Sequence, residues 1–155
     1  MRNAAALVAM CIAVVLAAVA YTMLSAQRPQ APAVHGFAFN GVEYAFTTVA
    51  TNQSEWQRGL MNYTVTNSTF ELFEFGYSGD FPFWMKNTYY PLDIIWIEGN
   101  TVVHIVNATP CSWYDGSQSS CAVYDPGAFA TSVIEAKAGF VNASGLDVGD
   151  NVSFT

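Results

Sequence analysis

The chain has 155 residues, of which 52% are hydrophobic, 15% aromatic and only 11% charged. Intrinsically disordered chains combine low hydrophobicity with high charge and coiled coils are rich in Glu and Lys, so both classes are excluded. Five Lys and Arg against 12 Asp and Glu give a formal charge of −7, which disfavours nucleic acid as a partner.

The N-terminal residues 4–26 contain no charged side chain and are rich in Ala, Val, Leu, Ile and Met. A helix of this length spans the roughly 30 Å hydrocarbon core of a bilayer. Arg2 precedes the segment and predicts that the N-terminus stays inside the cell. The pattern fits an uncleaved signal anchor or a signal peptide with cleavage candidates at residues 18–20 or 24–26.

Either interpretation places the rest of the chain outside the cytoplasm. We expect a cell-membrane protein with its domain outside, or a secreted protein if the leader is cleaved. Residues 27–34 are predicted to be a Pro-rich linker. Residues 35–155 are long enough for one globular domain.

The first half of this domain shows three elements. Strands are predicted at 36–39 and 42–49, joined by Asn40-Gly41, which is typical of a type I′ hairpin turn. Residues 52–55 resemble a capping box, so a short helix is expected from there to about Leu60. Residues 70–75 are predicted to be a strand, although their apolar residues do not alternate cleanly.

The second half contains the clearest hairpin, with strands at 92–97 and 101–107 rich in β-branched residues. A loop is expected at 109–127, a strand at 131–136, and a short helix at 138–144 that ends at Gly145. A final strand is expected at 151–154. Because strands outnumber short helices, the predicted fold class is α+β and mostly β. We expect a small curved or barrel-like mixed sheet with one or two short helices.

Two cysteines remain outside the apolar leader, which contains Cys11. Cys111 and Cys121 are ten residues apart, and an oxidising compartment favours a disulfide between them. The alternative, a pair of metal thiolates, lacks the short spacing of a C-x-x-C site. We therefore predict no metal site and no cofactor.

Six of the ten asparagines begin an Asn-x-Ser/Thr triplet, which indicates a glycosylated surface. The alternative is a surface rich in Asn and Thr that compensates for few charges. The six candidates are Asn52, Asn62, Asn67, Asn107, Asn142 and Asn151.

Cations are scarce beyond the leader, so their positions are informative. The four are Arg28 in the linker and Arg58, Lys86 and Lys137 in the domain. A buried cation requires a carboxylate partner. Asp93 and Glu135 lie in apolar runs where burial is expected.

Three hypotheses follow for Arg58, Lys86, Asp93 and Glu135. They could form an internal ion-pair network that fixes the fold. They could instead line a pocket for a polar ligand, with Trp84 and Trp96 as stacking surfaces. In the third hypothesis, the two carboxylates act as acid and base on a glycosidic bond, which requires that both face one cleft.

Five short motifs follow one another along the domain. They are Arg58-Gly59-Leu60-Met61, Phe83-Trp84-Met85-Lys86-Asn87-Thr88, Pro91-Leu92-Asp93-Ile94, Ile134-Glu135 with Gly139, and Gly149-Asp150. Over about residues 42–154 the sequence therefore resembles the DUF192 family, also called UPF0127, of bacteria and archaea. The resemblance implies a compact, mostly β, barrel-like fold with short helices, often behind a signal or lipoprotein leader, and no established activity.

The sequence departs from the family pattern in two places. The segment between Cys111 and Cys121 looks like an insertion. Asn62 stands where a basic residue is usual, which would weaken an anion-binding version of the site.

The function we expect is non-enzymatic binding of a small polar ligand, a glycan or an envelope protein. The candidate binding residues are Arg58 and Lys86 as donors, Asp93 and Glu135 as acceptors, Trp84 as a platform, and Asn87. One alternative is an extracytoplasmic glycan hydrolase that uses Asp93 and Glu135, and another is a purely structural module. No catalytic residue is assigned. The expected partners are the membrane, through residues 4–26, and one of the three ligand classes, but not nucleic acid.

Overall fold

The computed structural model describes residues 15–16, 33–111 and 121–155. Val34–Thr155 form one compact unit. The expected leader, except for Val15 and Leu16, and most of the linker lie outside the described residues. None of the helices in the described part has the length and apolar character needed to cross a bilayer.

The unit contains ten strands and two short helices in its described residues. In chain order they are β1 (Gly36–Phe39), β2 (Val42–Ala45), β3 (Thr48–Ala50), α1 (Gln53–Arg58), β4 (Phe70–Gly79), β5 (Phe83–Trp84), β6 (Leu92–Glu98), β7 (Thr101–Ala108), β8 (Val123–Tyr124), β9 (Ala130–Lys137), α2 (Phe140–Ser144) and β10 (Ser153–Phe154).

The strands form three open sheets. The largest has the order β3-β4-β9-β6-β7, a second has the order β10-β1-β2, and β5 pairs with β8. Strands β3 and β4 are parallel, whereas the other pairs are antiparallel. The predicted class, α+β and mostly β with a mixed sheet, is confirmed.

The five-stranded sheet is covered on both faces, and this explains the irregular pattern of β4. Phe73, Trp96 and Val133 belong to the apolar cluster on one face, together with Leu60 beyond α1. Leu72, Ile95 and Ile134 belong to the cluster on the other face, which includes residues of β1, α2 and β10. Central strands that are buried on both faces read as continuous apolar runs rather than alternating ones.

Local signals identified most elements. Asn40 and Gly41 have φ angles of 50° and 78°, as a type I′ turn requires. The Asn52 side chain accepts a hydrogen bond of 3.2 Å from the Glu55 N–H, and Glu55 Oε2 accepts one of 2.7 Å from the Thr51 N–H. The predicted cap of α1 is therefore confirmed, although Glu55 reaches back one residue further than expected.

Other boundaries differ from the prediction. The run 42–49 is two strands, because β2 joins the three-stranded sheet and β3 joins the five-stranded sheet. The expected loop 109–127 contains β8, which pairs with the unpredicted β5. Helix α1 ends at Arg58, because Gly59 has φ 47° and ψ −141°, a conformation suited to glycine.

The predicted disulfide between Cys111 and Cys121 is present. It closes a loop whose residues 112–120 lie outside the described part of the chain.

The carboxylate of Asp93 joins three elements. It is 3% exposed on β6 and accepts a hydrogen bond of 2.8 Å from Asn107 Nδ2 on β7. Its other oxygen accepts bonds of 3.0 and 2.9 Å from the backbone N–H groups of Gly139 and Val141 at the start of α2. Asp93 therefore supplies the cap that Gly139, the N-cap residue of α2, cannot supply itself.

We predict that Asp93→Ala lowers the free energy of unfolding by about 2–4 kcal/mol, because it leaves three donors without their acceptor. Urea unfolding of the full-length chain measures this difference. Asp80→Ala removes an exposed carboxylate and should change stability by no more than about 0.5 kcal/mol. Equal effects of the two substitutions would contradict the anchoring role of Asp93.

Candidate functional site

Two buried glutamates face each other at the centre of the five-stranded sheet. Glu71 on β4 and Glu135 on β9 are direct cross-strand partners, and they are 1% and 4% exposed. Directly opposed residues on antiparallel strands have their Cβ atoms about 4.5–5.5 Å apart and point to the same face. The sheet therefore places two carboxyl groups side by side in an apolar layer.

Each carboxyl group keeps one oxygen without a partner. Glu71 Oε1 accepts a hydrogen bond of 2.9 Å from Thr48 Oγ1 on β3, but Glu71 Oε2 and Glu135 Oε2 have no hydrogen-bond partner among the described residues. Buried polar atoms in folded proteins are normally paired, and an unpaired one costs about 1–3 kcal/mol. Glu98 Oε2 and Ser132 Oγ are also unpaired among the described residues, but only Glu71 and Glu135 are directly opposed carboxyl residues, so this pair is the candidate functional site.

Burial raises the pKa of both groups. Desolvation raises the pKa of Glu71 from 4.5 to about 7, although the Thr48 hydrogen bond and the charge of Arg58 oppose the change. Desolvation and the neighbouring charge of Glu71 raise the pKa of Glu135 to about 8, against a hydrogen bond from the Leu60 backbone. Glu135 is therefore mostly protonated at neutral pH, and a protonated carboxyl group can donate a hydrogen bond.

The backbone at Gly59, which has no side chain, lies close to Glu135. A Cβ atom on Gly59 would lie 3.5 Å from Glu135 Oε2 and 3.1 Å from the ring of Phe73. Glu135 also borders a cavity of about 20 Å³, which is enough for a single water-sized group. The remaining lining residues are Trp56, Gln57, Arg58, Gly59, Leu60, Met61, Phe73, Phe83, Trp84, Lys86 and Thr88.

A wider groove adjoins this small cavity. It has a volume of about 330 Å³ and shares Trp56, Gln57, Phe83 and Trp84 with the cavity. Its other lining residues are Gln53, Phe75, Phe81 and Pro82. Aromatic walls with a few amide groups are typical of small-molecule sites, whose volumes begin at about 300 Å³.

The structure brings four of the predicted residues together. Arg58, Trp84, Lys86 and Glu135 all line the small cavity. Trp84 is 44% exposed, and Lys86 Nζ lies 5.1 Å from the centre of its ring. This distance is within the range of a cation–π interaction.

Two asparagines beside this cavity have structural roles. The Asn87 carbonyl accepts a hydrogen bond of 2.8 Å from the Asn62 N–H, and both residues have positive φ angles. Asn62 Oδ1 accepts a bond of 2.7 Å from the Tyr89 hydroxyl. Neither asparagine lines the small cavity, so the residue at position 62 does not form its wall.

Asp93 and Trp96 do not belong to the site. The register pairs Glu135 with Ile94, so Asp93, one residue earlier on β6, points to the opposite face of the sheet. The hypothesis that Asp93 and Glu135 flank one glycosidic bond is therefore wrong. Trp96 is fully buried, with its indole N–H donating to the Phe81 carbonyl at 2.8 Å, so its predicted role as a stacking surface is wrong too.

The predicted ion-pair network is also wrong within the described chain. Asp93 is satisfied by an amide and two backbone N–H groups rather than by a cation. Glu135 Oε2 has no partner, and the charge that acts on Glu135 is that of another carboxylate.

Sequence reasoning missed Glu71, which forms half of the buried pair. Its signal was the same one that identified Asp93, a carboxylate within an apolar run, here Phe70-Glu71-Leu72-Phe73. Trp56, which lines both cavities, was not among the predicted site residues either.

The six candidate glycosylation residues are all exposed. Two already make hydrogen bonds through the side chain, Asn52 as the cap of α1 and Asn107 as a donor to Asp93. In residues 33–111 and 121–155 no group of three or more His, Cys, Asp and Glu side chains is placed to hold a metal ion.

The comparisons with known proteins concern the same part of the chain. The family model DUF192, described as an uncharacterized ACR, matches residues 39–154. The chain belongs to this family. The match covers β2 to β10 and every residue of the site. No curated protein matches the chain.

Solved structures with a similar fold come from two bacteria. A proposed transcription regulator from Sinorhizobium meliloti 1021 is 30% identical, with a TM-score of 0.64 over 77% of this chain and 90% of that one. A protein of unknown function from Novosphingobium aromaticivorans DSM 12444 is 24% identical, with a TM-score of 0.62 over 81% and 94%. At 24% identity, the similarity to the Novosphingobium aromaticivorans protein shows a common fold and nothing more.

We predict that stability falls as pH rises from about 4.5 to about 8. The folded-state pKa values of Glu71 and Glu135 lie above the usual 4.5, so the folded state binds more protons than the unfolded state in this window. Each group contributes up to about 1.4 kcal/mol per pH unit.

Urea unfolding of the full-length chain across this pH range measures the slope. Glu135→Gln removes one titrating group and should flatten the profile, whereas Asp80→Asn should leave it unchanged. A wild-type profile that rises with pH, or equal slopes for wild type and Glu135→Gln, would contradict the assignment.

Proposed function

We propose that this domain binds a small polar ligand in the aromatic groove, with one polar group of the ligand inserted beside Glu135. The observation that carries the proposal is that Glu135, whose Oε2 has no partner among the described residues, lines a cavity large enough for one water-sized group. An arriving hydroxyl or carboxylate oxygen would give this carboxyl group the hydrogen-bond partner that the described protein does not provide.

The two cavities suit two parts of one ligand. The groove of about 330 Å³ can accept a compact ring, and Trp84 and Phe83 offer aromatic surfaces along it. The small cavity admits only one substituent of that ring. Arg58 and Lys86 at its wall supply donors, and the amides of Gln53 and Gln57 supply further donors and acceptors in the groove. A monosaccharide or a short glycan fits this combination of ring face and hydroxyl groups.

The same site gives no support to catalysis. Hydrolysis of a glycosidic bond requires two carboxyl groups across an open cleft, whereas Glu71 and Glu135 lie side by side within the sheet. The similarity to a proposed transcription regulator does not lead us to propose that this chain binds DNA. Residues 27–155 carry four cations against 12 acids, and a DNA-binding surface requires an excess of cations.

We predict that neutral monosaccharides or short glycans raise the melting temperature of the full-length chain. A ligand present at one hundred times its Kd stabilises the native state by about 2.7 kcal/mol. Trp84→Ala should abolish the shift, because it removes the exposed aromatic surface among the residues that both cavities share. Phe129→Ala is the matched control, since Phe129 is an exposed aromatic residue outside both cavities.

Circular dichroism checks that both variants keep the native secondary structure. An equal shift for wild type and Trp84→Ala would place binding elsewhere and contradict the proposed site. A panel that shifts none of the three proteins would favour the purely structural module.

We also propose that residues 4–26 attach the protein to the cell membrane, or direct its secretion if they are cleaved, with the domain outside the cytoplasm. The uncharged length of this segment supports membrane insertion. The Cys111–Cys121 disulfide supports an oxidising compartment. The six exposed Asn-x-Ser/Thr sites support a surface that can carry glycans.

We predict that an amine-reactive reagent that does not cross membranes labels the domain on intact cells. The only two lysines, Lys86 and Lys137, are both half-buried residues of the domain. Peptide mass spectrometry would locate the label, and a cytoplasmic protein of the same cells serves as the control. Labelling of both lysines only after the cells are broken would contradict an external domain.

A further inference from the structure

The charge around the small cavity differs from that of the rest of the domain. Residues 35–155 contain three cations and 12 acids, yet two of the three cations, Arg58 and Lys86, line the same cavity of about 20 Å³. The third, Lys137, lines a separate pocket beside α2. A domain with a negative net charge therefore concentrates most of its positive charge at one point.

Among the described residues, Glu135 is the carboxyl group that lines the cavity with these two cations, and its Oε2 has no hydrogen-bond partner there. Lys86 Nζ lies over the ring of Trp84, and Arg58 is an exposed residue at the end of α1. The cavity thus presents two positive groups and a carboxyl group that burial keeps largely neutral.

We propose that the ligand of this site is an acidic sugar or a similar ring that bears a carboxylate, bound through Arg58 and Lys86 with its ring on Trp84. The inference rests on the proposed function and adds the ligand's charge to it. The carboxyl group of Glu135, in its neutral form, donates a hydrogen bond to one oxygen of the ligand. Two cations and a neutral acid are complementary to an anion, whereas an ammonium group would meet like charge at the entrance.

The state of Glu135 makes this binding dependent on pH. The charge of Glu71 on β4 acts on Glu135, and the cations Arg58 at the end of α1 and Lys86 after β5 line the same cavity. Desolvation and Glu71 favour the protonated form, with a pKa of about 8. Above that pH a second negative charge would stand beside the ligand's carboxylate, so affinity for an anion should fall as the pH rises through about 8.

The matched probes are glucuronate and glucose, which differ in the carboxylate at one carbon. Isothermal titration calorimetry on the oxidised, full-length chain should give an affinity at least tenfold higher for glucuronate. Arg58→Gln and Lys86→Gln should each reduce the affinity for glucuronate about tenfold and the affinity for glucose by a smaller factor, because the glutamine amide still donates hydrogen bonds but carries no charge. Lys137→Gln, the same loss of charge outside the cavity, should change the affinity for glucuronate less than twofold.

The pH series provides a second measurement on the same proteins. Wild-type affinity for glucuronate should fall as the pH rises through about 8. Glu135→Gln, which cannot ionise at this position, should remove the fall near pH 8 and leave only a smaller change near pH 7 from Glu71.

The outcomes separate the two proposals. If glucose binds as tightly as glucuronate and Trp84→Ala abolishes both, the proposed function stands and the acidic ligand is overturned. If Lys137→Gln weakens binding as much as Lys86→Gln, net charge rather than the cavity attracts the anion, and the inference is again overturned. If neither sugar binds to the wild type at any pH, both the sugar-binding function and the inference are overturned.

Discussion

Because both faces of the five-stranded sheet are covered, a carboxylate that points from a central strand into either apolar layer is removed from water. Three such groups exist on β4, β6 and β9 in the described chain: Glu71, Asp93 and Glu135. Burial of a carboxylate is unfavourable unless hydrogen bonds or opposite charges replace its hydration. The three groups differ in how they meet this requirement, and this difference distinguishes the structural role of Asp93 from the proposed binding role of Glu135.

Asp93 meets the requirement completely. Its three donors come from β7 and from the start of α2, so the carboxylate joins secondary-structure elements that are distant in sequence. The oxygens of Asp93 are occupied, and this leaves little for a ligand to gain from them. Its place in a motif of the family is explained by the fold.

Glu71 and Glu135 meet the requirement only in part, since each keeps one oxygen without a partner. Their pKa values are raised because burial disfavours the charged form of a carboxyl group. A negative charge on one of two neighbouring carboxyl groups also disfavours ionisation of the other. A site of this kind costs stability, and perturbed groups at the edge of a cavity are a recognised sign of function. Gly59 reinforces the interpretation, because its missing side chain lets the segment after α1 lie close to Glu135.

Most local elements, the fold class, the disulfide and the family could be predicted from the amino-acid sequence. The Asn40-Gly41 turn, the cap at Asn52 and the hairpin of β6 and β7 depend on neighbouring residues, so local patterns predict them. The short strands β5 and β8 were not predicted, since two residues carry too little pattern. Arg58, Lys86 and Glu135 were also identified, because charged residues are scarce and stand out in apolar sequence. Trp84 was identified because it lies in the same motif as Lys86.

Which of these residues lie together could be seen only in the folded structure. Asp93 and Glu135 look alike in sequence, but the register of β6 against β9 places them on opposite faces of the sheet. Glu71 becomes the partner of Glu135 because β4 pairs with β9 across a sequence separation of more than sixty residues. Strand register is set by long-range packing rather than by neighbouring residues, and a shift of one residue would exchange the two faces. The composition of the site therefore depends on an interaction that no local pattern encodes.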